Sequence, residues 1–105
     1  MSFNISSEIR QLNFLYTNDL HAHLQPHIEQ WISDTRPVGG FANLATLIKE
    51  EKSANPNTLY IDAGDYFSGP YISTLTEGEA VIDTMNLLGV DAACIGNHEF
   101  DHGWE

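Results

Sequence analysis

Hydrophobic and polar positions change their period repeatedly along this chain. Gln11–Thr17 (QLNFLYT) alternates, with Leu12, Phe14 and Tyr16 on one side, as a strand does. A polar stretch follows from Asp19 to about Val38, and Pro26 and Pro37 bar a helix through it. Beyond Gly39 the period lengthens. Phe41, Leu44, Ala45 and Ile48 recur at i, i+3, i+4 and i+7, while Asn43, Thr46, Lys49 and Glu50 face away. That spacing predicts an amphipathic helix, closed by Asn55 and Pro56. Thr58–Asp65 (TLYIDAGD) reads as a short buried strand running into a glycine turn. Thr76 and Glu79 have the spacing of a capping box, with Val81, Met85 and Leu88 as the stripe behind it. Gly89 suits the residue that ends such a helix. Val90–Gly96 (VDAACIG) is a third strand, again ending in a glycine. The order βαβαβ predicts an α/β fold with three parallel strands and right-handed crossovers.

Composition narrows the partners. At 105 residues the chain is at most one domain, and 42% hydrophobic content supports a core. Residues 1–10 read as an N-terminal extension and 11–105 as the domain. Fifteen acidic residues against four Lys and Arg give a formal charge of −11. Such a surface repels phosphate backbones, so no nucleic-acid polymer is expected as a partner. An anionic small molecule would need positive charge from elsewhere, and a metal ion is the natural source. Cys94 is the only cysteine, which excludes an internal disulfide and a cysteine-based zinc site. Its apolar neighbours Ala92, Ala93 and Ile95 predict a small buried hydrophobe. Met1–Gln11 has no signal-peptide pattern, and no segment is long and apolar enough to span a membrane. Location stays open on this reading, with the cytoplasm favoured.

The polar clusters sit at corresponding places. Asp19 and His21 follow the first strand, Asp65 follows the second, and Asn97 and His98 follow the third. In a parallel sheet these are the carboxyl ends of all three strands, the edge where open α/β sheets bind ligands. Asp19 and His21, at i and i+2, point to one side in extended chain and can grip one cation. The bland alternative is an Asx turn beside a surface histidine. Asp65 stands beyond Gly64, where a turn can present a carboxylate able to bridge two cations about 3.5–4 Å apart. Asp62, inside the strand, reads as a structural acceptor for loop N–H groups. The Asn97 carbonyl oxygen can ligate a metal without adding charge, and His98 beside it can donate a proton toward substrate. Asp101 is placed to hold the other nitrogen of His98. His23, His27 and His102 have no partner that spacing identifies and are expected to be solvated. Glu99 is expected to cap backbone or face solvent.

In order, TNDLHAHL, GGFANLATLIKE, DAGDYFSG and GNHEFDHG closely resemble the calcineurin-like metallophosphoesterases. The branch they are most similar to comprises 5′-nucleotidases and 2′,3′-cyclic-nucleotide phosphodiesterases. The resemblance runs from about Leu12 to Gly103. It implies the N-terminal part of a four-layer αββα catalytic domain holding two divalent ions, with Mn, Zn, Fe or Co suited to the oxygen and nitrogen ligands. Asp19 and His21 would bind the first ion, Asp65 would bridge both, and Asn97 would bind the second. His98, paired with Asp101, would contact the phosphate, which metal-activated hydroxide attacks. The implied substrate is a nucleotide or other small phosphate ester. The family's downstream histidine motifs and the nucleotidase branch's nucleoside-binding domain do not occur here. The expectation is therefore the first piece of a longer enzyme, by itself nearly inactive. The alternative is a non-catalytic fragment or metal-binding module.

Overall fold

The computed structural model describes residues 9–103. Most of the expected extension (residues 1–8), and the last two residues of the expected domain, lie outside them. Three strands form one parallel sheet in the order β1 (Asn13–Thr17), β2 (Thr58–Asp62) and β3 (Ala92–Ala93). Helix α1 (Phe41–Ala54) joins β1 to β2, and helices α2 (Tyr71–Leu75) and α3 (Glu79–Leu88) join β2 to β3. The α/β reading of the hydrophobic pattern holds.

Register explains which side of the sheet is covered. Asn13, Leu15 and Thr17 pair with Thr58, Tyr60 and Asp62, so these residues share one face. Thr58, Tyr60 and Asp62 are buried, whereas Phe14, Tyr16 and Leu59 on the other face are exposed. Phe41 and Ile48 of α1 and Val81, Met85 and Leu88 of α3 form the core with Tyr60, Tyr66 and Ala22. Leu44 and Ala45 pack against it, as the helical period requires. Fully burying an apolar side chain of this size contributes about 1.5–3 kcal/mol. The Tyr60 hydroxyl meets the Thr17 hydroxyl at 2.8 Å, and burial pushes its pKa up.

Several local expectations are corrected. The capping box does not form. Thr76 instead ends α2, a helix too short to show a period in sequence, and its hydroxyl donates to the Ile72 carbonyl at 2.8 Å. The same oxygen accepts from the Ala80 N–H at 3.2 Å, and Gly78 in a left-handed conformation opens α3. Gly89 ends α3 at φ 71°, as expected. The third strand pairs over two residues only, Ala92 with Ile61 and Ala93 with Asp62. Cys94 is exposed, because no described element covers that side of β3.

Beyond the strands the first two loops keep running side by side. Asp19, His21 and Ala22 donate their N–H groups to the carbonyls of Gly64, Asp65 and Tyr66 at 3.0, 3.1 and 2.9 Å. This backbone pairing carries the two loops together past the carboxyl end of the sheet.

Candidate metal centre

Asp19 and His21 come together by a different route from the one their spacing suggested. The chain there is not extended: φ is 52° at Asp19, 42° at His21 and 53° at Ala22. This left-handed turn brings Asp19 Oδ1 to 3.8 Å from His21 Nε2. His21 Nδ1 faces the carbonyl oxygens of Phe67 and Ser68 at 3.1 and 2.9 Å, so Nδ1 carries the proton and donates. In the neutral tautomer with the proton on Nδ1, Nε2 is a lone pair facing a carboxylate oxygen, two acceptors with no proton between them. That arrangement suits a cation, and a histidine whose other nitrogen donates to a carbonyl is a typical oriented ligand.

Asp65 is also left-handed, at φ 58°. Its Oδ1 accepts the His98 backbone N–H at 3.1 Å, which links the loop after β2 to the loop after β3. The two loops touch main chain to main chain. A Cβ on Gly64 would lie 2.8 Å from the Gly96 nitrogen, so glycine is required there. Asp62 is the expected structural acceptor, taking the Thr17 hydroxyl and, at 2.9 Å, the Gly64 N–H.

His98 opens a short 3-10 turn (His98–Phe100), and its ring meets the His21 ring edge to face at 5.0 Å between centroids. His98 Nδ1 lies 2.7 Å from Asp101 Oδ2, the pairing that the sequence suggested. This hydrogen bond, helped by the charges of Asp101, Asp65 and Glu99, raises the pKa of His98 despite some desolvation. Asp101 is lowered by its bonds from His98 and from the Ser68 hydroxyl. One ligand atom from each of His21, Asp65 and His98 falls within 4.8 Å of the others. Asp19 borders this group through His21. Asn97 stands just before the turn and makes no capping bond with its side chain. The nitrogen and oxygen donor set is one that a divalent ion accepts.

Other residues have partners that the sequence did not name, although His23 is exposed, as expected. His27 Nε2 pairs with Glu29 Oε1 at 2.7 Å, and the His23 and His27 rings lie 4.7 Å apart. His102 Nε2 meets the buried Ser73 hydroxyl at 3.2 Å and lies against the Phe67 ring. Glu99 does bond backbone, as one of its two expectations held, but across two loops. Its Oε2 accepts from Gly96 at 2.6 Å and Asp65 at 2.9 Å, and its Oε1 from Tyr66 at 2.8 Å and Phe67 at 3.1 Å. Glu29 and Gly96 lie two and three residues from their partners, but 29 residues separate Ser73 from His102 and 34 separate Asp65 from Glu99, so those partners do not follow from spacing.

Known proteins resemble this chain in sequence and in fold. A 5′-nucleotidase from Bos taurus is 42% identical over 98 residues, covering 90% of this chain and 17% of the relative. A probable 5′-nucleotidase from Treponema pallidum is 38% identical, with 90% and 17% covered. The crystal structure of a 5′-nucleotidase precursor from Thermus thermophilus superposes with a TM-score of 0.78 at 38% identity. That match covers 86% of this chain and 18% of the other. The chain thus spans about one sixth of the length of these relatives. No helix among the described residues is long and apolar enough to cross a membrane. The calcineurin-like phosphoesterase family model matches residues 12–105, and the chain belongs to that metal-dependent family.

Proposed function

We propose that this chain is the N-terminal part of the catalytic domain of a longer, 5′-nucleotidase-like phosphoester hydrolase. The observation that supports it most is the meeting of His21, Asp65 and His98 at the carboxyl edge of the sheet. Asp19, His21 and Asp65 would hold one divalent ion, and Asp65 and Asn97 a second. Such ions supply Lewis-acid stabilisation of the phosphoryl group and an activated water as nucleophile. Each set falls short of the four donors of a closed site, so the rest would come from chain beyond Glu105. His98, oriented by Asp101 through Nδ1, directs Nε2 toward the phosphate. Asp101 favours its protonated form, so it can donate to charge developing on oxygen. A second reading has one observation in its favour: His98 shares the 4.8 Å group with His21 and Asp65, as a third ligand would.

The test is hydrolysis by the full-length protein. A panel of 5′-nucleotides and 2′,3′-cyclic nucleotides is assayed with Mn, Zn, Fe and Co. Release of phosphate or ring opening should require added metal and stop on chelation. No hydrolysis of any ester with any of these metals would leave the non-catalytic fragment or binding module as the better reading.

A further inference from the structure

Glu99 carries four backbone hydrogen bonds that the chemistry above does not use. Its carboxylate has about four lone-pair sites, and two N–H groups reach each oxygen. No site is left over for a metal ion. Three of the four donors are successive: Asp65, Tyr66 and Phe67 turn their N–H groups around one carboxylate, as backbone nests do around anions. The fourth, Gly96, belongs to the loop after β3. In return, Asp65 Oδ1 accepts the N–H of His98. The two loops therefore exchange bonds, each giving a carboxylate to the other's backbone.

This exchange bears on two metal donors together. Asp65 sits at φ 58°, a conformation that an L-residue keeps only when its surroundings hold it. The same loop supplies the Phe67 and Ser68 carbonyls that orient His21. Releasing residues 65–67 would free the Asp65 carboxylate and the His21 ring at once. We infer that Glu99 is a positioning residue, whose carboxylate fixes Asp65 and His21 by gathering the backbone N–H groups of residues 65–67 and Gly96. The inference rests on the metal-dependent phosphoesterase reading.

The experiment compares wild type, Glu99→Gln and Glu99→Asp in the full-length enzyme. Mn²⁺ affinity is measured by chelator competition, kcat and KM at saturating Mn²⁺, and folding by thermal melting. Glu99→Gln keeps the size but replaces one accepting oxygen with a donor. Loss of such support around metal ligands typically costs about 10–100-fold in affinity or activity. Mn²⁺ affinity and kcat should fall on that scale, with KM changing less. Glu99→Asp keeps both oxygens one methylene short and should lie between the other two. A purely structural role would lower the melting temperature and leave the folded molecules with wild-type affinity and kcat, which overturns the inference. If Glu99→Gln does not fold, Glu99→Asp carries the comparison, and wild-type Mn²⁺ affinity in it overturns the inference equally. Absence of hydrolysis by wild type overturns the functional reading alone, since Mn²⁺ affinity is read without substrate.

Discussion

The two ends of the sheet use similar polar residues to opposite effect. At the amino end, Asn13 and Asn55 both donate to Glu51 Oε1, at 2.8 and 2.5 Å, and Asn13 also reaches Thr58 Oγ1 at 3.3 Å. Lys52 bonds the Gly89 carbonyl at 3.0 Å and the Asp91 carboxylate at 2.9 Å, and that carboxylate accepts the Tyr60 N–H. The bonds from Lys52 and from the Tyr60 backbone lower the pKa of Asp91. There, polar groups close on one another and hold the sheet to its helices. At the carboxyl end, Asp19, His21, Ala22, Asp65 and Ser68 all take positive φ, and His21, Asp65 and His98 each bring a ligand atom within 4.8 Å of the others. Left-handed backbone costs about 1–2 kcal/mol per L-residue. The difference teaches where strain is kept: in this chain it gathers where donors must converge, as it often does at functional sites.

The sharpest test of that contrast is at His98, in the full-length enzyme. Under the proposed division of labour, His98→Asn keeps its metal and loses about 10²–10³ in turnover, the usual effect of removing one preorganised donor. Asn97→Ala loses a ligand instead, so excess metal should partly restore its activity. Metal content and turnover at rising metal concentration decide. Loss of an ion from His98→Asn, or its recovery with excess metal, would make His98 a ligand and the division mistaken.

The amino end should respond in stability alone. Glu51→Ala leaves the part-buried Asn13 and Asn55 amides short of their shared acceptor, a loss of about 0.5–1.5 kcal/mol in urea unfolding. Turnover per folded molecule should not change. A fall in turnover matching that at the carboxyl end would erase the contrast.

Ala22→Gly should have the smallest effect. Ala22 is fully buried at φ 53°. Glycine relieves about 1–2 kcal/mol of backbone strain. It also loses about 0.8 kcal/mol of buried methyl and about 0.5–1 kcal/mol in unfolded-chain entropy. The balance is a shift of within about 1 kcal/mol in unfolding free energy. A loss beyond about 2 kcal/mol would show that packing, and not strain, dominates this turn.

What was legible in the sequence was local. The periods of Gln11–Thr17 and Phe41–Ile48 located β1 and α1, and the Val81, Met85 and Leu88 stripe located α3. Of the motif residues, His21, Asp65 and His98, which short spacings announce after each strand, each bring a ligand atom within 4.8 Å of the others. What failed needed the third dimension. Asp19 and His21 approach through a left-handed turn, where their spacing alone suggested extended chain. β3 is short because past Ala93 the chain leaves the sheet toward Gly96, which meets the Asp65 loop too closely to carry a side chain. The five residues of α2 are too few for a period. Three of the four Glu99 bonds and the Ser68–Asp101 contact cross 32 to 34 residues, a distance that no pattern of neighbours encodes.

The bare face of the sheet has a consequence for handling this segment by itself. Phe14 is 55% exposed and Tyr16 72%, beside Leu12 and Leu59 on the same side. Contiguous apolar surface of this kind favours association between copies. Opposing it is the charge of −11, which keeps like molecules apart near neutral pH. The sequence pI is about 4.5, so mild acid removes the repulsion and leaves the apolar face. Shelf life and concentration limit are then colloidal matters, governed by pH and ionic strength before any unfolding begins.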